Sequence, residues 1–418
     1  MPQFAGMIQL PPIVCLGFPN WEGDYQKSTV QLMQALAASH RVLYVEYPFT
    51  WKDVYQGLRH GNRPWQRILG WEQRLREMPN FRGRLHVLTL PPQLPINGLQ
   101  AGATYEWLAK QNARLARTYI RRAIRELGYY RPVLITAFNP FLGSYLNGQL
   151  GEQKHFYYCY DEIGAARWTQ DHGPRLERRL LERVDGVIVS SDPLLEAKVN
   201  QQAALVLKNG AQISLFARAF QAQPQISETP VLGYLGNIND RVDLELLLAM
   251  LEKWPEARLL MVGALQEKSW ERHLREHPQI EWVGPKQPHE LPPYLEKMQL
   301  GLIPFVQNEF TRYIYPLKIN EYLAAGLPVV STNFGDLSDF SEIASVVQPS
   351  RLIEACKKAL LEDSPEKRSQ RLAFAQAQSW SGRAHTLAHW LGSQLEGAAP
   401  QSLETLLSPT HQKADQLT

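Results

Sequence analysis

A lysine and a glutamate three residues apart, Lys318 and Glu321, form the pattern in this chain that is most suggestive of chemistry. Pro316 suits the first turn of a helix and Gly326 suits its end, so the segment predicts a short helix followed by a buried strand at 329–331. Lys318 and Glu321 would share one face near the helix N-terminus. A cation and a carboxylate in that position could hold a phosphate next to a sugar diol. An ion pair on the surface of an ordinary helix accounts for the pattern equally well.

Composition places the chain among soluble globular proteins. It has 418 residues, 44% hydrophobic and 20% charged, which is enough for two or three domains with sizeable cores. Three widely spaced cysteines without metal-ligand spacing predict a reducing compartment and no metal site. We expect neither a signal peptide nor a membrane-spanning helix, because Pro11 and Pro12 interrupt the apolar N-terminus and no apolar run is long enough to span. The expected location is the cytoplasm.

Positive charge is concentrated in the first half of the chain. Residues 1–220 hold 26 Lys and Arg against 17 Asp and Glu, although the formal net charge of the whole chain is only +3. This half could meet an anionic partner, or it could present a solvated basic face.

Within this half, the stretch 59–76 alternates cations with tryptophans. Its members are Arg59, Arg63, Trp65, Arg67, Trp71, Arg74 and Arg76. The stretch could lie peripherally on the inner face of a membrane, or form an insertion whose tryptophans pack internally. Nucleic acid is not an expected partner, because no recognition motif accompanies the charge.

Alternating strand and helix patterns occupy two regions of the chain. Strands are predicted in the first region at 13–17, 41–45, 85–90, 133–136, 156–160 and 187–190, with helices near 104–127 and 174–184. A Gln- and Pro-rich linker is predicted at 217–230, and a second alternating run begins at 231. The pattern predicts an α/β protein of two doubly wound, Rossmann-like domains that face a cleft. Residues 396–418 are expected to form a poorly ordered tail.

Several segments together resemble GT-B type glycosyltransferases of glycosyltransferase family 4. Residues 316–330 match that family's PLK..EYLA.G.PVV signature nearly letter for letter. Further similar segments are 206–210, 233–236, 258–263, 280–284 and 301–305. The resemblance is specific over 155–345, weaker over 10–150, and closest to members that build polysaccharides or teichuronic-acid-like polymers.

The resemblance implies an acceptor-side domain over 1–218 and a donor-binding domain over 228–379, with a helix at 380–394 that packs back on the first domain. The implied reaction transfers a sugar from a nucleotide-diphosphate donor to a hydroxyl of a glycan, lipid-linked or small-molecule acceptor, with retention. No Asp-x-Asp motif occurs, so neither a metal nor a cofactor is expected. The alternatives are a non-catalytic scaffold of the same fold that binds a nucleotide or glycan, and a sugar-nucleotide epimerase.

The resemblance assigns Glu321 to the donor ribose, and a carboxylate can accept hydrogen bonds from both vicinal hydroxyls. The diphosphate is assigned to Arg241 with help from Lys318, because charge develops on the leaving group. Arg241 could instead pair with Asp240 or Asp243. The remaining donor-binding predictions on this domain are Gly236, Gly263, Val283, Pro316 and Leu317.

Three further positions complete the predicted site. Tyr313 stands where such enzymes usually have a first glutamate, eight residues before Glu321, and its hydroxyl could bind a sugar or its ring could pack in the core. Asp161 ends an aromatic strand, so it could take the acceptor proton, steady positive charge at the anomeric carbon or cap the next loop. Gly23 would let backbone approach the diphosphate from the first domain.

Overall fold

Two parallel β-sheets organise the chain, and the computed structural model describes residues 9–22, 27–57, 65–164, 169–224 and 227–396. The first sheet has the strand order β3-β4-β2-β1-β5-β6-β7-β8, in which β3 alone is antiparallel. Its strands are β1 Ile13–Gly17, β2 Val42–Val45, β3 Leu75–Glu77, β4 Leu85–Leu88, β5 Val133–Ala137, β6 Lys154–Cys159, β7 Gly186–Val189 and β8 Ala203–Val206.

The second sheet is parallel throughout and has the order β11-β10-β9-β12-β13-β14. Its strands are β9 Val231–Leu235, β10 Arg258–Val262, β11 Ile280–Trp282, β12 Leu300–Ile303, β13 Val329–Thr332 and β14 Ser345–Val347. Parallel sheets need crossover helices on their faces, which explains the alternation read in the sequence.

Helices cover the faces of both sheets. Those up to residue 216 are α1 Ser28–Ala37, α2 Trp51–Gly57, α3 Trp65–Leu69, α4 Ala103–Glu126, α5 Pro140–Leu146, α6 Gly173–Leu181, α7 Asp192–Lys198 and α8 Ile213–Phe216. The later ones are α9 Leu244–Lys253, α10 Glu271–Glu276, α11 Pro292–Leu295, α12 Leu317–Ala324, α13 Leu352–Leu361, α14 Pro365–Ala377 and α15 Trp380–Leu395. Short 3-10 helices are Ala217–Ala219, Lys268–Trp270, Pro288–Glu290, Thr311–Tyr313, Ser338–Phe340 and Pro349–Arg351.

Strand β1 shows how the first sheet builds a core on each face. Ile13 and Cys15 point to the layer that contains α1 and α15, whereas Val14 and Leu16 point to the layer that contains α4. Alternate residues of a strand face opposite sides, so a strand covered on both faces reads as a continuous apolar run. All five residues of β1 are buried.

The boundary between the domains lies earlier than the predicted one at 218. Ile213, Phe216 and Ala219 are buried in the core of the second domain. Their spacing of three residues puts them on one side of successive helical turns. The predicted linker from 217 therefore starts too early, because its first turn packs rather than connects.

Helix α15 returns to the first domain. Trp380, Leu387 and Leu391 are buried in the cluster that also contains α1. Just before this helix, Ser379 forms an isolated bridge with Ala211, so the two chain crossings between the domains lie side by side. The second domain is thus inserted, in sequence, within the first. The predicted tail from 397 onward lies outside the described residues.

Within the described part of the chain, no helix is both long and apolar enough to cross a bilayer.

Candidate functional site

Two glycine turns and Lys318 form the floor of the candidate site in the second domain. Gly236 follows β9 and has a φ of +128°, and a Cβ placed on it would lie 2.0 Å from Cε of Lys318. A Cβ on Gly263, after β10, would lie 1.8 Å from the carbonyl oxygen of Gly236. Only glycine fits at both positions, so the backbone there stays open to a ligand.

Tyr322 fixes α12 against the sheet. Its hydroxyl accepts a hydrogen bond from the Leu235 N–H at 2.7 Å and donates to the Gly233 carbonyl at 3.2 Å. Its ring lies where a side chain at Gly301 would be, 2.4 Å from the ideal Cβ. The helix is therefore held at the carboxyl end of β9, which is where open parallel sheets bind ligands.

The ends of α12 agree with the sequence prediction, with one shift. Pro316 is the N-cap and Leu317 the first helical residue, so the proline precedes the helix instead of starting it. Gly326 has a φ of +77° just after the helix and permits the sharp stop.

Lys318 and Glu321 do not form the ion pair that was the simpler interpretation. The ammonium of Lys318 and the carboxylate of Glu321 do not come within 4.0 Å of each other. Neither group has another hydrogen-bonded partner among the described residues. Burial raises the pKa of Glu321 to about 7, although nearby Lys318 favours the charged form. Burial also lowers the pKa of Lys318; Glu321 opposes that shift and Arg241 adds to it. The charged groups of Lys318 and Glu321 thus lie unpaired on α12, and that of Lys318 lies beside the Gly236 turn.

Arg241 reaches across the cleft. Its Nη2 lies 3.3 Å from Oδ2 of Asp161 in the first domain, and its guanidinium carbon lies 4.4 Å from the ring centroid of Phe310. The pairing with Asp240 or Asp243 that the sequence left open is not found; Asp243 instead caps α9 through the Leu246 N–H. The Nε of Arg241 is buried without a partner in the described structure.

Asp161 caps the next loop, which is one of its three predicted roles, and its two catalytic roles stay predictions. One oxygen accepts from the Glu162 N–H at 3.0 Å, and the other faces Arg241. Burial raises the pKa of the Asp161 carboxyl, and Arg241 opposes that shift. The group is therefore a carboxylate that is 24% exposed, at the carboxyl edge of the first sheet, and it contacts Arg241 of the second domain.

Tyr313 occupies the sequence position at which a donor-binding glutamate is usual, but its side chain is directed to the first domain. Its ring packs against the first-domain cluster that contains Phe138 and Tyr157, and its carbonyl accepts a hydrogen bond from Ser191 Oγ at 2.8 Å. A ring held in this way joins the domains.

Val283 follows β11 beside the turn of Gly263, whose N–H donates to the Gly284 carbonyl at 2.9 Å. Gly23 lies outside the described residues. The structure thus brings Gly236, Gly263, Arg241 and Lys318 together and places Val283 at the neighbouring turn.

A four-residue charge cluster between the domains was missed in the sequence. Nζ of Lys208 lies 3.2 Å from Asp192, 3.3 Å from Asp336 and 2.9 Å from Asp339. The N–H of Asp192 also donates to Asp336. These partners are far apart in sequence, so spacing gives no signal for them.

An aromatic wall in the first domain was also not predicted from the sequence. The rings that follow β1, β2, β5 and β6 lie at one sheet edge, with centroids 4.7 Å apart for Phe18 and Tyr47 and 4.7 Å apart for Phe138 and Tyr160. Strand ends of a parallel sheet meet at one edge, so a signal existed: an aromatic residue follows each of these strands. This aromatic wall therefore lies at the carboxyl edge of the first sheet, where Phe138 is buried among the other rings.

The described cations of the stretch 59–76 are used inside the fold. Glu22 pairs with Arg67 at 2.6 Å and with Arg76 at 2.8 Å, and Arg74 donates to the carbonyls of Arg67 and Ile68. The arginines thus agree with a packed insertion, but Trp71 is 75% exposed and does not pack internally, so membrane contact of this stretch stays a prediction. Arg59 and Arg63 lie outside the described residues.

No group of three or more His, Cys, Asp and Glu side chains is arranged to hold a metal ion in the ranges that the structure describes. The absence of a metal from the reaction stays a prediction.

Comparisons with known proteins agree with this geometry. Residues 229–362 match the family described as Glycosyl transferases group 1. A putative teichuronic acid biosynthesis glycosyltransferase of Bacillus subtilis strain 168 is 30% identical over 236 residues, which cover 52% of this chain and 59% of that protein. The match therefore spans little more than half the length of that relative.

Solved structures show the fold. Sucrose-phosphate synthase from Thermosynechococcus elongatus superposes with a TM-score of 0.68 at 19% identity, covering 93% of this chain and all of that one. An Anabaena protein in complex with UDP and glucose gives a TM-score of 0.61 at 14% identity, covering 92% of this chain and all of that one. The predicted fold class and the resemblance are confirmed.

Proposed function

We propose that this chain, which has the GT-B fold and matches Glycosyl transferases group 1 over 229–362, transfers a sugar from a nucleotide-diphosphate donor to an acceptor hydroxyl. The observation that carries the proposal is the pair of unpaired charged groups of Lys318 and Glu321 on α12, of which that of Lys318 lies beside the Gly236 turn. A cation, a carboxylate and open backbone in one place suit the phosphate and ribose of a nucleotide.

Glu321 would accept hydrogen bonds from the two ribose hydroxyls. Burial disfavours the charged form of this carboxyl, so the pKa of Glu321 without a ligand is about 7. Hydroxyl donors from a ribose would supply the solvation that the carboxylate lacks. Binding is therefore expected to favour the ionised form.

Arg241 and Lys318 would bind the diphosphate. In the reaction the bond between the anomeric carbon and the leaving phosphate oxygen breaks, and a bond to the acceptor oxygen forms. The leaving diphosphate gains negative charge, which these two cations would stabilise without a metal. The diphosphate would take the place of Asp161 beside Arg241, which leaves Asp161 free to accept the acceptor proton.

The acceptor would lie against the first domain, between Asp161 and the aromatic wall. Apolar ring faces stack well on sugar rings and on lipid chains, so a glycan or lipid-linked acceptor fits this surface. The teichuronic acid role in the name of the Bacillus subtilis relative supports a glycan acceptor. Retention of anomeric configuration, hexosyl transfer and action at the cytoplasmic face of a membrane belong to the same proposal.

Calorimetry with UDP and with GDP tests the proposal, followed by a donor screen that measures nucleotide release. Glu321→Ala should weaken nucleotide binding about tenfold or more, because a charged hydrogen-bond acceptor is lost. Glu256→Ala, at an exposed glutamate of the same domain, is the matched control and should bind like the wild type. Equal binding by Glu321→Ala and the control would overturn the ribose assignment.

A non-catalytic scaffold is the second candidate. It is favoured by Tyr313, which occupies the sequence position usual for a donor-binding glutamate and whose ring packs on the first domain. Nucleotide binding without sugar transfer or donor hydrolysis, across a broad panel of donors and acceptors, would support the scaffold over the enzyme.

A further inference from the structure

We propose that the exposed side of α4 docks on an anionic lipid bilayer. This surface, the α4 face, consists of Trp107, Lys110, Arg114, Leu115, Arg121 and Arg125. It is separate from the stretch 59–76, whose described cations are paired internally, and it does not depend on the proposed transferase activity.

The cations of the α4 face lie along one side of a long helix. Lys110, Arg114, Arg121 and Arg125 are spaced by four, seven and four residues, and each is exposed. The helix has acidic residues only near its ends, and Glu106 is already taken by two arginines of α6, at 2.6 and 3.1 Å. In the described structure no carboxylate pairs with these four cations.

Helix α10 of the second domain differs, because its exposed arginines pair with glutamates of the same helix. Arg272 pairs with Glu276 at 2.9 Å and Arg275 with Glu271 at 2.9 Å, each one helical turn apart. Such pairs neutralise a solvated helix face. The α4 face has no such compensation, so it presents net positive charge to its surroundings.

Large apolar side chains are exposed around the N-terminal half of the same helix. Trp107 is 61% and Leu115 37% exposed. Leu94, 40% exposed, is held against α4 because its N–H and carbonyl bond to the side chain of Asn112. Trp51, 52% exposed, donates its N–H to the residue before Leu94. Eight of the nine large hydrophobic side chains exposed in the described structure belong to the first domain.

An anionic bilayer matches this combination better than a nucleic acid does. Tryptophan settles at the headgroup level, leucine enters the acyl boundary, and Lys and Arg bind anionic headgroups. A nucleic acid would use the charge, but Leu94 and Leu115 would have no role because aliphatic side chains do not stack on bases. Since α4 starts near the carboxyl edge of the first sheet, its apolar end lies on the cleft side of the domain.

Vesicle sedimentation of the full chain tests the proposal. We expect binding to vesicles of equal parts phosphatidylglycerol and phosphatidylcholine, none to phosphatidylcholine alone, and weaker binding as salt screens the charges. The triple variant Arg114→Gln, Arg121→Gln, Arg125→Gln should partition about a hundredfold less at low ionic strength. Trp107→Ala should also weaken binding to the anionic vesicles, because it removes the side chain that settles at the headgroup level.

The matched control removes equal charge from the second domain through Lys253→Gln, Lys268→Gln and Lys297→Gln, all exposed positions. It should bind vesicles like the wild type. Circular dichroism establishes that each variant is folded. Three outcomes would each overturn the proposal. The folded wild type could fail to bind anionic vesicles, or the two triple variants could lose equal amounts of binding. Alternatively, single-stranded RNA could displace the bound protein from the vesicles when an excess of added vesicles does not.

Discussion

Glu321 lies in an environment that disfavours the charge its proposed role requires. Its pKa in the folded chain is about 7, raised by burial from an ordinary 4.5. The folded state therefore keeps a proton that the unfolded state loses over this interval. Stability associated with this group is present below about pH 4.5 and is lost as pH rises to about 7.

Glu321→Gln should remove that pH dependence. We expect the variant to gain stability relative to wild type as pH rises from about 4.5 to about 7, because an amide has no proton to lose. UDP affinity of the wild type should rise over the upper part of this interval, while that of the variant stays flat and low. Urea denaturation and calorimetry over a pH series measure both effects. A variant that tracks the wild type at every pH would contradict the assignment.

Asp161 competes with the donor for Arg241. Asp161→Asn should tighten UDP binding about threefold, because the ion pair at 3.3 Å is partly exposed and of modest strength. The same variant should lose most transfer activity if Asp161 takes the acceptor proton. Calorimetry and a transfer assay separate the two effects. Weaker UDP binding by the asparagine variant would show that Asp161 supports the nucleotide instead of competing with it.

At the scale of elements, the turn after β9 and helix α12 act as one unit. Gly236→Ala should place a methyl group on Lys318 and force a residue with a side chain to a φ of +128°. We expect a loss of about 1–3 kcal/mol in stability and a clear loss of UDP affinity.

Gly148→Ala is the control, because this glycine has a φ of +74° but no atom within 4 Å of its ideal Cβ. It should lose stability without changing UDP affinity. Equal affinity losses in the two variants would mean that the contact with Lys318 is unimportant.

Elements with strong periodicity could be predicted from the sequence. Strand β1 has the predicted bounds, helix α4 begins and ends one residue before the predicted 104–127, and the other predicted strands of the first domain differ by at most two residues at either end. Strands β3, β8 and β14 were not predicted, and each of them pairs on one side only. Residues of β3 and β14 are not fully buried, so their apolar pattern is weak. The pairing of Arg67 and Arg76 with Glu22 was also invisible, because their partner is some 50 residues away and no local spacing reveals it.

At the scale of the whole molecule, Lys208 links the first domain to Asp336 and Asp339 of the second, and it also pairs with Asp192 of its own domain. Lys208→Ala should cost about 2 kcal/mol, since it leaves buried Asp336 without its cation, and should favour a more open arrangement. Urea denaturation and small-angle scattering measure the two effects.

The surface pair of Lys154 and Asp185, which lies within one domain, supplies the control. Lys154→Ala should cost less than about 1 kcal/mol and leave the scattering profile unchanged. A Lys208→Ala profile identical to the wild type would show that the cluster does not hold the domains together.

The cleft as a whole was predictable, but its cross-domain partners were not. Alternating strands and helices predicted two sheets, and the signature around Glu321 located the donor side. The relative placement of the two domains decides two contacts: Arg241 meets Asp161, and Tyr313 packs on the first domain. No period or spacing along a chain encodes that relation directly.

The bridge between Ala211 and Ser379 has a consequence for how such domains can move. Two adjacent chain segments connect the domains at this bridge. They permit a hinge rotation of one domain against the other, whereas sliding or twisting would strain both segments at once. Contacts across the opening, such as that between Arg241 and Asp161, would then meet in the same register at every closure. The alignment would be supplied by the route of the chain, with no separate guide needed at the site.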